Sequence, residues 1–135
     1  MRPRFFLSVP LIAVVALGAT GLAGATAPLI DAVKSGNRAA VQELIRQKAD
    51  VNAAEPDQTT ALHWAVRGGD VQTVLLLIRA GAKVNAANRF GVTPMSLAAG
   101  NGDARLVEAL LAAGVDPNST SPEGETILMT ASRSG

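Results

Sequence analysis

The chain has 135 residues, room for one domain, and is 48% hydrophobic and 17% charged, which excludes both an intrinsically disordered chain and a highly charged one. It contains no cysteine, so disulfides and thiolate metal sites are excluded. The formal charge of +1 comes from the start of the chain: setting aside Arg2 and Arg4 leaves ten basic against eleven acidic residues, a balance that excludes a nucleic-acid-binding face.

Residues 1–27 have three parts. Arg2 and Arg4 make a short basic start, residues 5–19 are an uncharged apolar run broken by Ser8, Pro10 and Gly18, and a tail of small residues follows. This is the layout of a secretory signal peptide. Small side chains at the third and first positions before a cut occur in Ala23-Gly24-Ala25 and in Ala25-Thr26-Ala27. The first is favoured, because the second leaves Pro28 directly after the cut. The expected division is a signal peptide over residues 1–25 and a mature domain over residues 26–135, with a periplasmic or secreted location. The compact leader and the Ala- and Gly-rich composition point to a bacterial source. The alternative is an uncleaved inner-membrane anchor through residues 5–27, since no charge falls between Phe5 and Ile30.

The mature segment repeats itself every 33 residues. Thr60, Thr93 and Thr126 are spaced by that interval, as are Gly36, Gly69, Gly102 and Gly135, then Leu44, Leu77 and Leu110, then Asn52, Asn85 and Asn118. Each unit reads as two short helices. The first starts at a Thr suited to capping free N–H groups, with Pro28 or Pro94 at the next position, and stops at the repeated Gly. The second starts at Asn37, Asp70 or Asp103 and carries an apolar stripe: Val41, Leu44 and Ile45; Val74, Leu77 and Ile78; Val107, Leu110 and Leu111. Turns at Gly81 and Gly114 lead into short extended runs and polar loops. Neither helix is long enough to hold in water alone, so units must cover one another.

Two helix starts, Thr60-Ala61-Leu62-His63-Trp64-Ala65 and Thr93-Pro94-Met95-Ser96-Leu97-Ala98, and the turn Gly81-Ala82-Lys83-Val84-Asn85 resemble those of the ankyrin repeat family. The resemblance implies an all-α solenoid of paired short antiparallel helices with hairpin-like loops. Units fall at about residues 26–55, 56–88 and 89–121, with a truncated fourth at 122–135. The first unit has Ala27 in place of the capping Thr and reads as an N-terminal cap. The fourth stops between its two helices and leaves Ile127, Leu128 and Ala131 without a covering helix, so the chain reads as a fragment of a longer array, the alternative being that this end docks on a partner.

No grouping of residues suggests catalysis. His63 is the single histidine, and the resemblance implies that it ties neighbouring loops at a helix start. No recurring carboxylate pair and no phosphate-binding Gly loop occurs, and no cofactor or metal site is expected. Asn118-Ser119-Thr120 fits a glycosylation sequon, but a turn role suffices for Asn118. Trp64 is expected to fill the core, with a partner-facing anchor as the alternative. Leu75 and Leu76 stand where other units have Gln42, Glu43, Glu108 and Ala109, and are expected to form a small exposed apolar patch or bland surface variation on the outer helices.

The family resemblance implies a protein-interaction scaffold, and the expectation is an exported, non-enzymatic monomer that binds an unknown protein partner, not nucleic acid and not membrane unless the leader is kept. Alternatives are the N-terminal adaptor of a larger exported enzyme whose chemistry lies beyond residue 135, or a membrane-tethered scaffold. Loop tips and first helices are expected to line a concave face. There, side chains differ between units: Lys34 and Ser35; Pro56, Asp57, Thr59 and Arg67; Arg89, Phe90, Val92 and Asn101; Glu123, Glu125 and Arg133. Phe90 is the expected anchor, with Arg67 and Arg89 near it; the alternative is that Phe90 merely packs on the next loop. For the leader, mass spectrometry of the mature protein is expected to find Thr26 or Pro28 at the N-terminus; a soluble protein that keeps Met1 contradicts the expectation.

Overall fold

The computed structural model describes residues 27–116, together with Asn118 and Ser132. Among the described residues, six helices follow in order: α1 Pro28–Lys34, α2 Arg38–Arg46, α3 Ala61–Arg67, α4 Val71–Arg79, α5 Pro94–Asn101 and α6 Ala104–Ala112. The fold is an all-α repeat solenoid. Helices of one unit pack in antiparallel pairs, α1 with α2, α3 with α4 and α5 with α6. Across units, the first helices α1, α3 and α5 form one row and the second helices α2, α4 and α6 form another.

Local chemistry sets each helix start. Thr60 and Thr93 accept from the backbone N–H groups of His63 and Ser96, whose side chains reach back to the cap residues' own N–H groups. Ala27 offers no such bond, and α1 relies on Pro28 at its first position. Asn37, Asp70 and Asp103 cap the second helices, their side chains accepting from the N–H groups of Ala40, Thr73 and Arg105. Gly36, Gly69 and Gly102 follow the first helices with φ of +73°, +73° and +69°, as their spacing predicts.

One continuous apolar core runs through the units. Leu29, Ile30, Val41, Leu62, Val66, Val74, Leu77, Met95, Leu106 and Leu110 are almost fully buried in it. Each such side chain contributes roughly 1.5–3 kcal/mol of transfer free energy. Two expectations about the second helices need correction. Leu106, not the half-buried Val107, is the fully buried residue at the start of the α6 stripe, and Leu111 is 39% exposed. The position of Leu106 is Thr73 in the preceding unit, also buried, where its hydroxyl donates to Asp70 Oδ2 at 2.6 Å. Leu75 and Leu76 are half-buried and do not form an exposed patch. Ile127, Leu128 and Ala131 lie outside the described residues.

Hairpin loops join the units. Ala54 bridges Thr60 in antiparallel fashion, and Glu55 N–H donates to the Thr59 carbonyl at 2.9 Å. At the same places one unit later, Asn88 N–H donates to the Val92 carbonyl at 3.0 Å. Asn52 is fixed by the next unit: its Nδ2 donates to the Gly81 carbonyl at 3.2 Å and its Oδ1 accepts from Lys83 N–H at 2.8 Å. Asn118 takes the same local turn, its N–H donating to Asp116 Oδ1 as that of Asn52 does to Asp50 Oδ1.

The turn after each second helix requires a left-handed residue. Gly81 and Gly114 have φ of +99°, and the equivalent residue of the first unit, Lys48, has φ of +65°. A side chain in this region costs about 1–2 kcal/mol, against about 0.5–1 kcal/mol of extra unfolded-state entropy for glycine. Lys48→Gly is therefore expected to raise stability by up to about 1 kcal/mol in urea unfolding. A lower midpoint contradicts the assignment of strain to this turn.

Candidate functional site

The groove between the hairpin loops and the row of first helices collects most of the residues that vary between units. One cavity in it, about 330 Å³, is lined by loop and helix residues of two successive units, among them Asp57, Thr59, Trp64, Arg67, Phe90, Val92 and Leu97. A second cavity of about 400 Å³ lies on the other side of Trp64 and is lined by Val33, Lys34, Trp64, Arg67 and Gly68. Trp64 and Arg67 line both, so the two cavities adjoin as the halves of a trough along the inner helices, with Trp64 between them.

Trp64 is the central side chain of this trough. Its ring is half-buried and packs against the core, while the indole Nε1–H donates to Glu55 Oε2 at 2.7 Å. Lys34 Nζ lies 4.4 Å from the ring centroid and Arg67 Cζ lies 5.5 Å from it. Both cations are within cation–π range. Lys34 also pairs with Glu55 Oε1. Trp64 thus serves the core with its body and the groove with its exposed part, so the expectation of core filling was half the answer. Its equivalents are Asp31 and Leu97, and this difference between units was the available signal.

Phe90 is 65% exposed at the loop tip, which favours the exposed reading of this ring over packing on the next loop. Asn88 holds the tip: its Oδ1 accepts from Phe90 N–H at 2.9 Å and from Val92 N–H at 3.0 Å, and its Nδ2 donates to Thr59 Oγ1 at 3.3 Å. Arg67 lines the same cavity as Phe90. Arg89 departs from expectation. Its N–H donates to the Asp57 carbonyl at 2.7 Å and its guanidinium donates to the Pro56 carbonyl at 3.0 Å, so it clamps the loop of the preceding unit. Thr59 lines the same cavity but is largely buried, and its hydroxyl accepts from Asn88 of the next loop. Asn101 ties helices together through Nδ2 and the Val66 carbonyl, 2.9 Å apart. Ser35 Oγ donates to the Ala32 carbonyl at 3.0 Å. Glu123, Glu125 and Arg133 lie outside the described residues. Glu55, Asn88 and Leu97 were not among the sequence candidates, although Glu55 and Asn88 stand one period apart.

The hydrogen bond from Thr59 N–H to Asp57 holds that carboxyl below its ordinary range, and the charge of Arg89 acts in the same direction. On the outer row, partial burial raises the Asp70 carboxyl, but hydrogen bonds from Thr73 and from Arg38, 2.9 Å away, outweigh it and leave it lowered. The Arg38–Asp70 pair links the outer helices of two units at the surface, where such pairs contribute at most about 1 kcal/mol.

His63 sits beneath the groove, 1% exposed. Thr60 N–H, which can only donate, lies 3.1 Å from Nδ1, so Nδ1 carries the lone pair. Nε2 then bears the proton and donates to the Val92 carbonyl of the next unit at 2.9 Å. Every polar atom of the ring is satisfied by this single tautomer. Burial pushes the imidazole pKa below its usual 6.5, against the weaker opposing pull of the Val92 and Ala86 carbonyls and the Asp57 charge. Among the described residues, no three His, Asp or Glu side chains gather as a metal site, and no helix is long and apolar enough to cross a membrane.

Two family models match the chain: ankyrin repeats (3 copies) over residues 18–88 and ankyrin repeats (many copies) over residues 77–131. The chain belongs to the ankyrin repeat family, whose arrays are protein–protein interaction modules. Comparison with curated proteins gave no match.

His63 ties two units, and its loss is measurable. His63→Ala is expected to lower stability by about 1–3 kcal/mol, because Thr60 and Val92 lose a buried partner. The pH dependence follows from linkage. Between 6.5 and the depressed native pKa, the unfolded chain binds a proton that the native state does not. Stability is therefore complete above pH 6.5 and falls as pH drops through that window. Urea midpoints measured from pH 7.5 to 5 should show this slope in the parent and not in His63→Gln. Equal slopes in both proteins contradict the assignment.

Proposed function

We propose that the chain is an exported, non-enzymatic interaction module that binds a protein partner in the groove between its loop tips and first helices. The observation that carries this reading is the placement of the 65% exposed Phe90 in the wall of the same cavity as Trp64 and Arg67. Aromatic residues with neighbouring arginine are the usual make-up of interface hot spots. The loop beneath them is already fixed by Asn88, Arg89 and His63 through backbone and side-chain bonds. A partner therefore meets a preformed surface, and little ordering cost opposes binding. Export is supported by the three-part leader in residues 1–25.

The reading is tested by cross-linking the exported protein to its neighbours, purifying the partner, and titrating it against variants. Phe90→Ala is expected to weaken binding by about 1–3 kcal/mol with little change in melting temperature, since an exposed ring contributes little to folding. Unchanged affinity for Phe90→Ala and Arg67→Ala, with affinity lost in Leu75→Asp or Leu76→Asp, places the interface on the outer helices and contradicts the proposal.

A further inference from the structure

The charges around Trp64 are not equally satisfied, and the difference defines what the trough accepts. Glu55 takes Lys34 on one oxygen and the indole N–H of Trp64 on the other. Asp57 accepts from Thr59 N–H and has Arg89 as its neighbouring cation. Arg67 differs: among the described residues no carboxylate or carbonyl accepts from its guanidinium, and its one recorded partner is the Trp64 ring. Its side chain is exposed and borders both cavities. The trough thus offers one uncompensated cation beside two aromatic surfaces, Trp64 and Phe90.

Resting on the proposed groove, we infer that its occupant is an extended peptide segment of a partner protein that carries a large apolar side chain close in sequence to an Asp or Glu. The apolar side chain enters the 330 Å³ cavity between Trp64, Phe90 and Leu97. The carboxylate meets Arg67, whose planar fork is suited to a bidentate pair. Two features favour an extended chain. The two cavities lie side by side and share Trp64 and Arg67 in their walls, an arrangement that suits a linear ligand running from one to the other. The cation–π contact with Trp64 also holds Arg67 in the wall common to both cavities, within reach of a charge in either.

The test is selection of a random twelve-residue peptide library on the full-length protein, followed by titration of synthetic peptides from the selected pool. Trp64 is the chain's single tryptophan, so its emission reports occupancy of the trough. The selected peptides should pair an apolar residue with Asp or Glu, shift Trp64 emission and bind more weakly as salt rises. Replacing the peptide carboxylate by its amide should cost about tenfold or more in affinity for the parent, the size of effect of a charge-assisted bond, and almost nothing for Arg67→Gln. An unchanged circular dichroism spectrum of Arg67→Gln confirms that the variant is folded. If the peptides need Phe90 but ignore both the carboxylate and Arg67, the inference is overturned while the groove stands. If binding is insensitive to Phe90→Ala and Arg67→Gln alike, or no peptide is enriched, the inference is overturned, and in the first of these cases the groove assignment falls with it.

Discussion

Every feature of this protein depends on the inability of its helices to stand alone. The six helices have only seven to nine residues. Nucleation is costly, and isolated helices of that length are marginal at best in water. The apolar faces of one unit must therefore be closed by the next. Leu62, Leu77, Met95, Leu106 and Leu110, drawn from two units, sit in one continuous core. Polar ties reinforce the same contact: His63 to the Val92 carbonyl, Asn52 to the Gly81–Lys83 turn, and Asn101 to the Val66 carbonyl.

That requirement divides the residues of each unit into two groups. Cap, turn and core positions answer the same demand in every unit and mostly repeat at 33-residue spacing, with Ala27, Lys48 and Thr73 as departures. Groove positions face solvent and are free to differ: Asp57 and Phe90 stand one period apart, as do Lys34 and Arg67, and Trp64 and Leu97. The proposed binding surface is built where folding is indifferent, on a support that folding fixes. Asn88 and Arg89 show the coupling, since the bonds that stabilise the loop also set the direction of Phe90.

Much of this was legible in the sequence because the period marks equivalent positions. Helix starts at Thr60 and Thr93 and caps at Asn37, Asp70 and Asp103 follow from residue type and spacing, whereas the sequence left Phe90 open between exposure and packing on the next loop. Contacts between loops were not legible. Arg89 has the charge and neighbourhood of an interface residue, yet the Pro56 carbonyl takes its guanidinium, and only the approach of two hairpins reveals that. Thr59 lines the groove as expected, but the bond from Asn88 to its hydroxyl was hidden for the same reason. The buried position shared by Thr73 and Leu106 escaped the apolar stripe because a threonine hides its burial by bonding locally to its own cap. Trp64 was ambiguous because a large ring can serve core and surface at once.

The central claim is that units two and three are one cooperative structure, not two that merely touch. Leu110 is fully buried on α6, whereas Trp64 lies on α3 of the preceding unit. Leu110→Ala removes about 2–5 kcal/mol of packing in the third unit. The decisive measurement is urea unfolding of this variant, followed by Trp64 emission and by far-ultraviolet circular dichroism. The account expects both midpoints to fall together, because the second unit loses its cover when the third is weakened. A Trp64 transition that keeps the parent midpoint while the dichroism transition moves below it contradicts the account.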